Sequence, residues 1–109
     1  MSEDIERMEL SIEVAEKAVA FGDKVQRLIN NKDFQEVIDE GYLKEEAARL
    51  TSLIGDKNPH LDQAGIISDL HAIASFRRYI KQQLTVREML LKEIADHKEA
   101  IDIARQEQE

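Results

Sequence analysis

The 109-residue sequence has no cysteine and no tryptophan, and it contains a single proline and only four glycines. Without cysteine the chain can form neither a disulfide nor a thiolate metal site, and thiol catalysis is excluded. The glycines are scattered, so no phosphate-cradling loop is present. Aromatic residues make up 5 % of the chain and charged residues 35 %. This balance is typical of helix-rich proteins rather than of β-sandwiches or barrels.

The sequence also lacks a long apolar run and a basic, apolar start. No stretch approaches the 18 apolar residues that a membrane-spanning helix needs, so we expect no membrane contact. The acidic first residues do not resemble a signal peptide, which favours synthesis and residence in a cytoplasm. The formal net charge is −8, so the chain as a whole should repel nucleic acid and anionic membranes.

Apolar spacing predicts an N-terminal helix over about 3–30, with Ser2 as its N-cap. One stripe alternates spacings of three and four like a coiled-coil seam, and consists of Ile5, Met8, Ile12, Ala15 and Val19. A second stripe runs beside it and consists of Val14, Ala18, Phe21, Val25 and Leu28. Two stripes on one helix indicate two packing partners, one of which can belong to another chain. An ordinary bundle helix is the alternative interpretation.

The middle of the chain predicts two short helices, over about 33–40 and about 43–54, separated by Gly41. We expect Gly41 to end the first of them with a positive φ, as C′ glycines do. The apolar face of the first comprises Phe34, Val37 and Ile38. A shared core is predicted to contain Phe34, Ile38, Leu50, Leu53 and Leu70.

After the loop around Pro59, helical periodicity continues over about 62–106. As one helix this stretch would measure roughly 65 Å at about 1.5 Å per residue. The remaining residues cannot cover that length, so part of it should split, face solvent or pack on another chain. The spacing of Thr85 and Glu88 is that of a capping box, which leaves a break near Thr85 open beside a continuous helix. The predicted fold is all-α, a helical hairpin or bundle forming a single domain over 1–109.

Candidate catalytic and metal-binding residues are sparse. Glu93 and His97 stand four apart on one predicted helix face, the minimum for a helical metal pair, but two ligands do not make a site. His60 and His71 add no third ligand with metal-site spacing, and no serine has the context of a nucleophile. We therefore predict no enzyme activity, no catalytic residue, no metal, no cofactor and no small-molecule substrate.

The strongest local charge feature is basic. Five basic residues oppose Glu88 alone over 76–92, a local charge of +4 from Arg77, Arg78, Lys81, Arg87 and Lys92. This window is consistent with a docking face for an acidic partner or sister subunit, or with the solvated side of a helix; binding of nucleic acid is disfavoured. The predicted interaction residues combine the seam with this window: Ile5, Met8, Ile12, Val19, Arg77, Arg78, Lys81, Arg87, Leu90 and Ile94.

A compound pattern covers the chain from about Val25 onward. It consists of the run 28–38, then Gly41-Tyr42-Leu43, the run 46–50, the run 69–73 and the run 76–80. This pattern resembles a group of small, acidic, helical proteins of tailed bacteriophages, usually encoded among genes for virion parts. The resemblance implies a virion-associated, scaffold or accessory role and supplies no functional residue. The expected partners are further copies of the chain or other virion proteins, and the expected location is the host cytoplasm and the virion.

A different class of function stays open, a small acidic protein that inhibits or modulates a host factor. A DNA mimic would concentrate its carboxylates on one face. Here the charge is −3 over 1–31, −3 over 32–61 and −2 over 62–109, so it is spread along the chain. The sequence favours the non-catalytic structural or assembly protein, with oligomerisation through the long helices.

Overall fold

The computed structural model describes residues 2–108, without the Ser2 side chain, and its regular structure is entirely helical over that range. The predicted N-cap at Ser2 therefore lies outside the described side chains. Helix α1 is Ser2–Ile29, α2 is Lys32–Phe34, a π-helical segment is Gln35–Glu46, α3 is Ala47–Leu53 and α4 is Gln63–Gln108. The all-α prediction is confirmed, with a long N-terminal and a longer C-terminal helix.

The prediction of two separate short helices is wrong, because the chain is helical without interruption from Lys32 to Leu53. The junction residues Phe34 and Ala47 both keep right-handed helical angles. Gly41 lies inside the π-helical segment and has no positive φ, which contradicts the expectation that it ends a helix. Asn31 begins this run as an N-cap, its Oδ1 accepting from the Phe34 backbone N–H at 3.0 Å.

The wide turn of the π-helical segment matches its apolar spacing. Ile38, Leu43 and Ala47 follow one another at intervals of five and four residues, longer on average than the α-helical turn of about 3.6. Hydrogen bonds from i to i+5 widen the turn and place these three on one side. Val37, predicted to belong to the apolar face, is 64 % exposed instead.

Helix α4 is one unbroken α-helix of 46 residues, and the break considered near Thr85 does not occur. Beyond Gly65 the helix contains neither glycine nor proline, so nothing in its sequence interrupts the hydrogen-bond ladder. At its start the Asp62 Oδ1 accepts from the Gly65 backbone N–H at 3.0 Å. The continuous helix is confirmed, and it extends to Gln108, the last residue described.

The chain divides into two compact units. The helix-pair unit comprises the residues up to Gln26 and those from Gln83 onward, and the central unit is Arg27–Gln82. The helix-pair core contains Ile12, Ala15, Val19, Ile94 and Ile101. The central core contains Leu43, Leu50, Ile66 and Ile73, with Ile38, Leu53 and Leu70 packed against it. Four of the five predicted core residues therefore pack in the central unit, and Phe34, only half-buried, does not belong to its cluster.

Candidate protein interface

The predicted seam packs within the chain. Ile12, Val19 and Ile94 are buried in the core of the helix-pair unit. Ile5, Met8 and Leu90 are partly buried against the same cluster. These six predicted interaction residues therefore join α1 to α4. Apart from Leu90, which also lines a surface groove, their burial leaves little of them for another protein.

One flank of the helix pair carries a ladder of ion pairs. Arg105 Nη2 lies 2.7 Å from Glu9 Oε1, Lys98 Nζ lies 3.9 Å from Glu16 Oε1, and Arg87 Nε lies 2.6 Å from Asp23 Oδ1. The three acidic residues recur every seven residues along α1. Exposed ion pairs add little stability. Because all three would break if α1 slid along α4, the ladder instead fixes the antiparallel register.

Arg87 makes its contacts within the helix pair. Its guanidinium contacts Asp23 and also lies 3.0 Å from Glu88 Oε1, and the hydrogen bond to Asp23 raises the pKa of Arg87 above its usual value. A Cβ placed on Gly22 would lie 2.7 Å from the Arg87 Cβ. Gly22 thus allows α1 and α4 to approach closely at this point, and Arg87 is engaged within its own chain.

Arg77, Arg78 and Lys81 of the predicted window also have interactions within the chain. An Arg77 guanidinium N–H donates to the Leu43 carbonyl oxygen. Arg78 donates to the Ser75 hydroxyl at 3.2 Å, and Lys81 has an interaction of its own. Four of the five basic residues of the window are therefore engaged within the chain.

The other flank of the helix pair is apolar and exposed. Leu10 and Val14 are 61 % and 62 % exposed, and Phe21 is 48 % exposed. On α4, Val86 and Met89 precede the groove residues Leu90 and Glu93 by four positions each, so they lie on the same side of that helix. We define the apolar face by these positions: Leu10, Val14, Ala18, Phe21, Val86, Met89 and Leu90.

A groove of about 380 Å³ runs along this face. Leu10, Val14, Leu90 and Glu93 line it together with the small residues Ser11, Ala15 and Ala18. The part of the apolar face that lies on α1 comes from the predicted second stripe, of which Val14, Ala18 and Phe21 are exposed. Val25 of the same stripe is buried. Sequence reasoning missed Leu10, although it precedes Val14 by four residues and so extends the stripe by one turn.

The central unit has a second, more polar cavity of about 360 Å³ beside the π-helical segment. Asp39, Glu40, Lys44 and Arg77 contribute charges of both signs to its lining. Lys44 pairs with Glu40 at 2.9 Å, and Arg77 is directed to the Leu43 carbonyl. Nearby, a hydrogen bond from Arg49 lowers the pKa of Glu46. Three of the four charged side chains of this cavity, Glu40, Lys44 and Arg77, therefore have partners within the chain.

Over the described residues, no three His, Asp or Glu side chains gather as metal ligands would. Within the same range, no helix has both the length and the apolar character needed to cross a bilayer. Glu93 and His97 stand alone as the helical pair described above.

Comparison of the chain with protein-family models found no match, and neither curated proteins nor solved structures gave one. The resemblance to bacteriophage proteins accordingly stays a prediction from the sequence. The fold and the apolar face define the class of molecule, an all-α protein with an exposed helical surface.

Proposed function

We propose that this chain is a non-catalytic structural or assembly protein that acts by contact between helical surfaces. The observation that carries the proposal is the apolar face of the helix-pair unit, on which Leu10, Val14 and Met89 are each more than 60 % exposed. Clustered apolar exposure of this kind is typical of protein interaction sites. The charges on the opposite flank are already paired within the chain. A partner that covered the apolar face would remove its apolar side chains from water.

The biological setting of the proposal is a tailed bacteriophage, and it rests on the sequence resemblance over the chain from about Val25. In that setting the protein is virion-associated, or a scaffold or accessory factor, and it binds copies of itself or other virion proteins. It is made in the host cytoplasm and is carried into the particle or into an assembly intermediate. The absence of any requirement for a cofactor or substrate is part of the same proposal.

Quantitative mass spectrometry tests this function on particles and assembly intermediates purified from the phage that encodes the chain. We expect the protein at a fixed copy number per particle or per intermediate, with major capsid protein as the internal standard. Its absence from both, together with tight binding to a host protein, would overturn the proposal. That result would favour the small acidic inhibitor of a host factor.

A further inference from the structure

We infer that the apolar face of the helix-pair unit binds a second copy of this chain, so that two helix pairs pack face to face about a two-fold axis. The inference rests on the proposed function, because it names the partner and the surface for the helical contact proposed there. Two properties of the face favour a second copy over an unrelated protein: its shape and its charges.

The shape of the face is self-complementary. It has a ridge of exposed large side chains, Leu10, Val14 and Phe21, beside a groove floored by Ser11, Ala15 and Ala18. Helices pack by fitting the ridge of one into the groove of another. A two-fold contact requires ridge and groove on the same surface, so that each copy offers both. This face meets that requirement.

The size of the face sets the strength of the dimer. From Leu10 to Phe21 the face runs roughly 17 Å along α1 at about 1.5 Å per residue. Two helices of roughly 10 Å diameter make it about 20 Å wide. The product is roughly 350 Å² per copy, below the roughly 800 Å² per partner of a standard stable interface, so we expect a dimer that forms at high protein concentration.

The charges near the face complement one another between two copies. Glu93 lines the groove, and Lys17 lies on α1 between Val14 and Phe21, three residues after one and four before the other. Both side chains are exposed and neither forms an ion pair or hydrogen bond among the described residues. In the two-fold arrangement Lys17 of each copy meets Glu93 of the other, so the pair forms twice. Such flanking pairs select partner and orientation in helical assemblies.

Sedimentation equilibrium of the full chain, up to about 200 µM, tests the inference. We expect a dimer whose dissociation constant rises at least about tenfold in Val14→Lys, because the new charge would be buried against apolar side chains. Val37→Lys is the matched control, since Val37 is 64 % exposed against 62 % for Val14 but lies in the central unit. We expect Val37→Lys to dimerise as the wild type does. Circular dichroism confirms that both variants keep their helices.

A charge exchange tests the two-fold geometry. Lys17→Glu and Glu93→Lys should each weaken the dimer, and the double variant should restore it, because the pair is rebuilt with its signs reversed. Three results would overturn the inference: a monomeric wild type at about 200 µM, equal weakening by Val14→Lys and Val37→Lys, or a double variant no stronger than the single ones. A protein that is monomeric in solution yet present in phage particles would remove this inference and leave the proposed function standing.

Discussion

At the scale of single residues, Gly55 ends the helical run with a φ of 81°, the one positive value among the described residues. Gln63 holds this turn from the start of α4. Its Oε1 accepts from the Gly55 backbone N–H at 3.1 Å, and its Nε2 donates to the Leu53 carbonyl at 3.0 Å. One side chain thus satisfies an acceptor at the end of α3 and a donor in the turn that follows.

Gly55→Ala should lower the free energy of unfolding by about 1–2 kcal/mol, the cost of left-handed backbone for a residue with a Cβ. No atom lies within 4 Å of the added Cβ, so the loss is conformational rather than steric. Urea unfolding followed by circular dichroism measures it. Gly41→Ala is the control, because Gly41 has no positive φ and its added Cβ would lie 3.3 Å from the Glu36 carbonyl oxygen, so stability should change by less than about 1 kcal/mol. Equal losses at both positions would contradict this account.

Gly22→Ala should destabilise the protein although alanine favours helix. The new Cβ would lie 2.7 Å from the Arg87 Cβ, an atom that cannot move without its helix. Overpacking costs about 1–3 kcal/mol. The gain in helix propensity is about 1 kcal/mol. A net loss of up to about 2 kcal/mol is therefore expected in thermal or urea unfolding. A gain in stability would show that α1 and α4 can separate without cost at this point.

At the scale of elements, the sequence predicts α1 and α4 well because many apolar residues repeat the same spacing along each. A single misleading position changes little over 28 or 46 residues. The segment Gln35–Glu46 is different, because its apolar side chains follow the wider turn of a π-helix and glycine there resembles a helix end. The choice between α and i→i+5 hydrogen bonds depends on packing in the central core, which local spacing does not reveal.

Ile73 and Ile67 offer a matched test of that core, since both lie on α4 within the central unit. Ile73 is 2 % exposed in the central cluster, whereas Ile67 is 43 % exposed. Ile73→Ala should lower the free energy of unfolding by about 2–5 kcal/mol because it leaves a cavity. Ile67→Ala should lower it by less than about 1 kcal/mol. Similar losses in urea unfolding would mean that the core is not where the structure places it.

At the scale of the whole molecule, the candidate interface was predicted in part. The two stripes on α1 predicted two packing partners, and the structure buries the seam named among the interaction residues while Val14, Ala18 and Phe21 of the second stripe are exposed. The role of the basic window was not predictable, because the partners of Arg77 and Arg87 lie 34 and 64 residues away in the chain. Periodicity identifies which side of a helix is apolar, but only tertiary packing shows which charges are already paired.

The net charge of −8 opposes association between two copies. The ion pairs neutralise some of the acidic charge on one flank. On the apolar face, Glu93 is the one carboxylate that lines the groove. Repulsion between the two copies is therefore spread over surfaces away from the face. At about 0.15 M ionic strength the screening length is about 8 Å, so this long-range repulsion is largely suppressed. The association measurements belong at that ionic strength.

The π-helical segment should also tolerate the deletion of a single residue. Deleting Glu40 shortens the interval from Ile38 to Leu43 from five positions to four, so that an α-helical turn can close with both side chains still inward. Deleting Glu13 from α1 instead turns everything beyond it by about 100° and misplaces the seam. We expect the first deletion to keep a cooperative thermal transition and the second to abolish it. Within the helical part of the chain, loss of a single residue should therefore be tolerated better in Gln35–Glu46 than in the long helices.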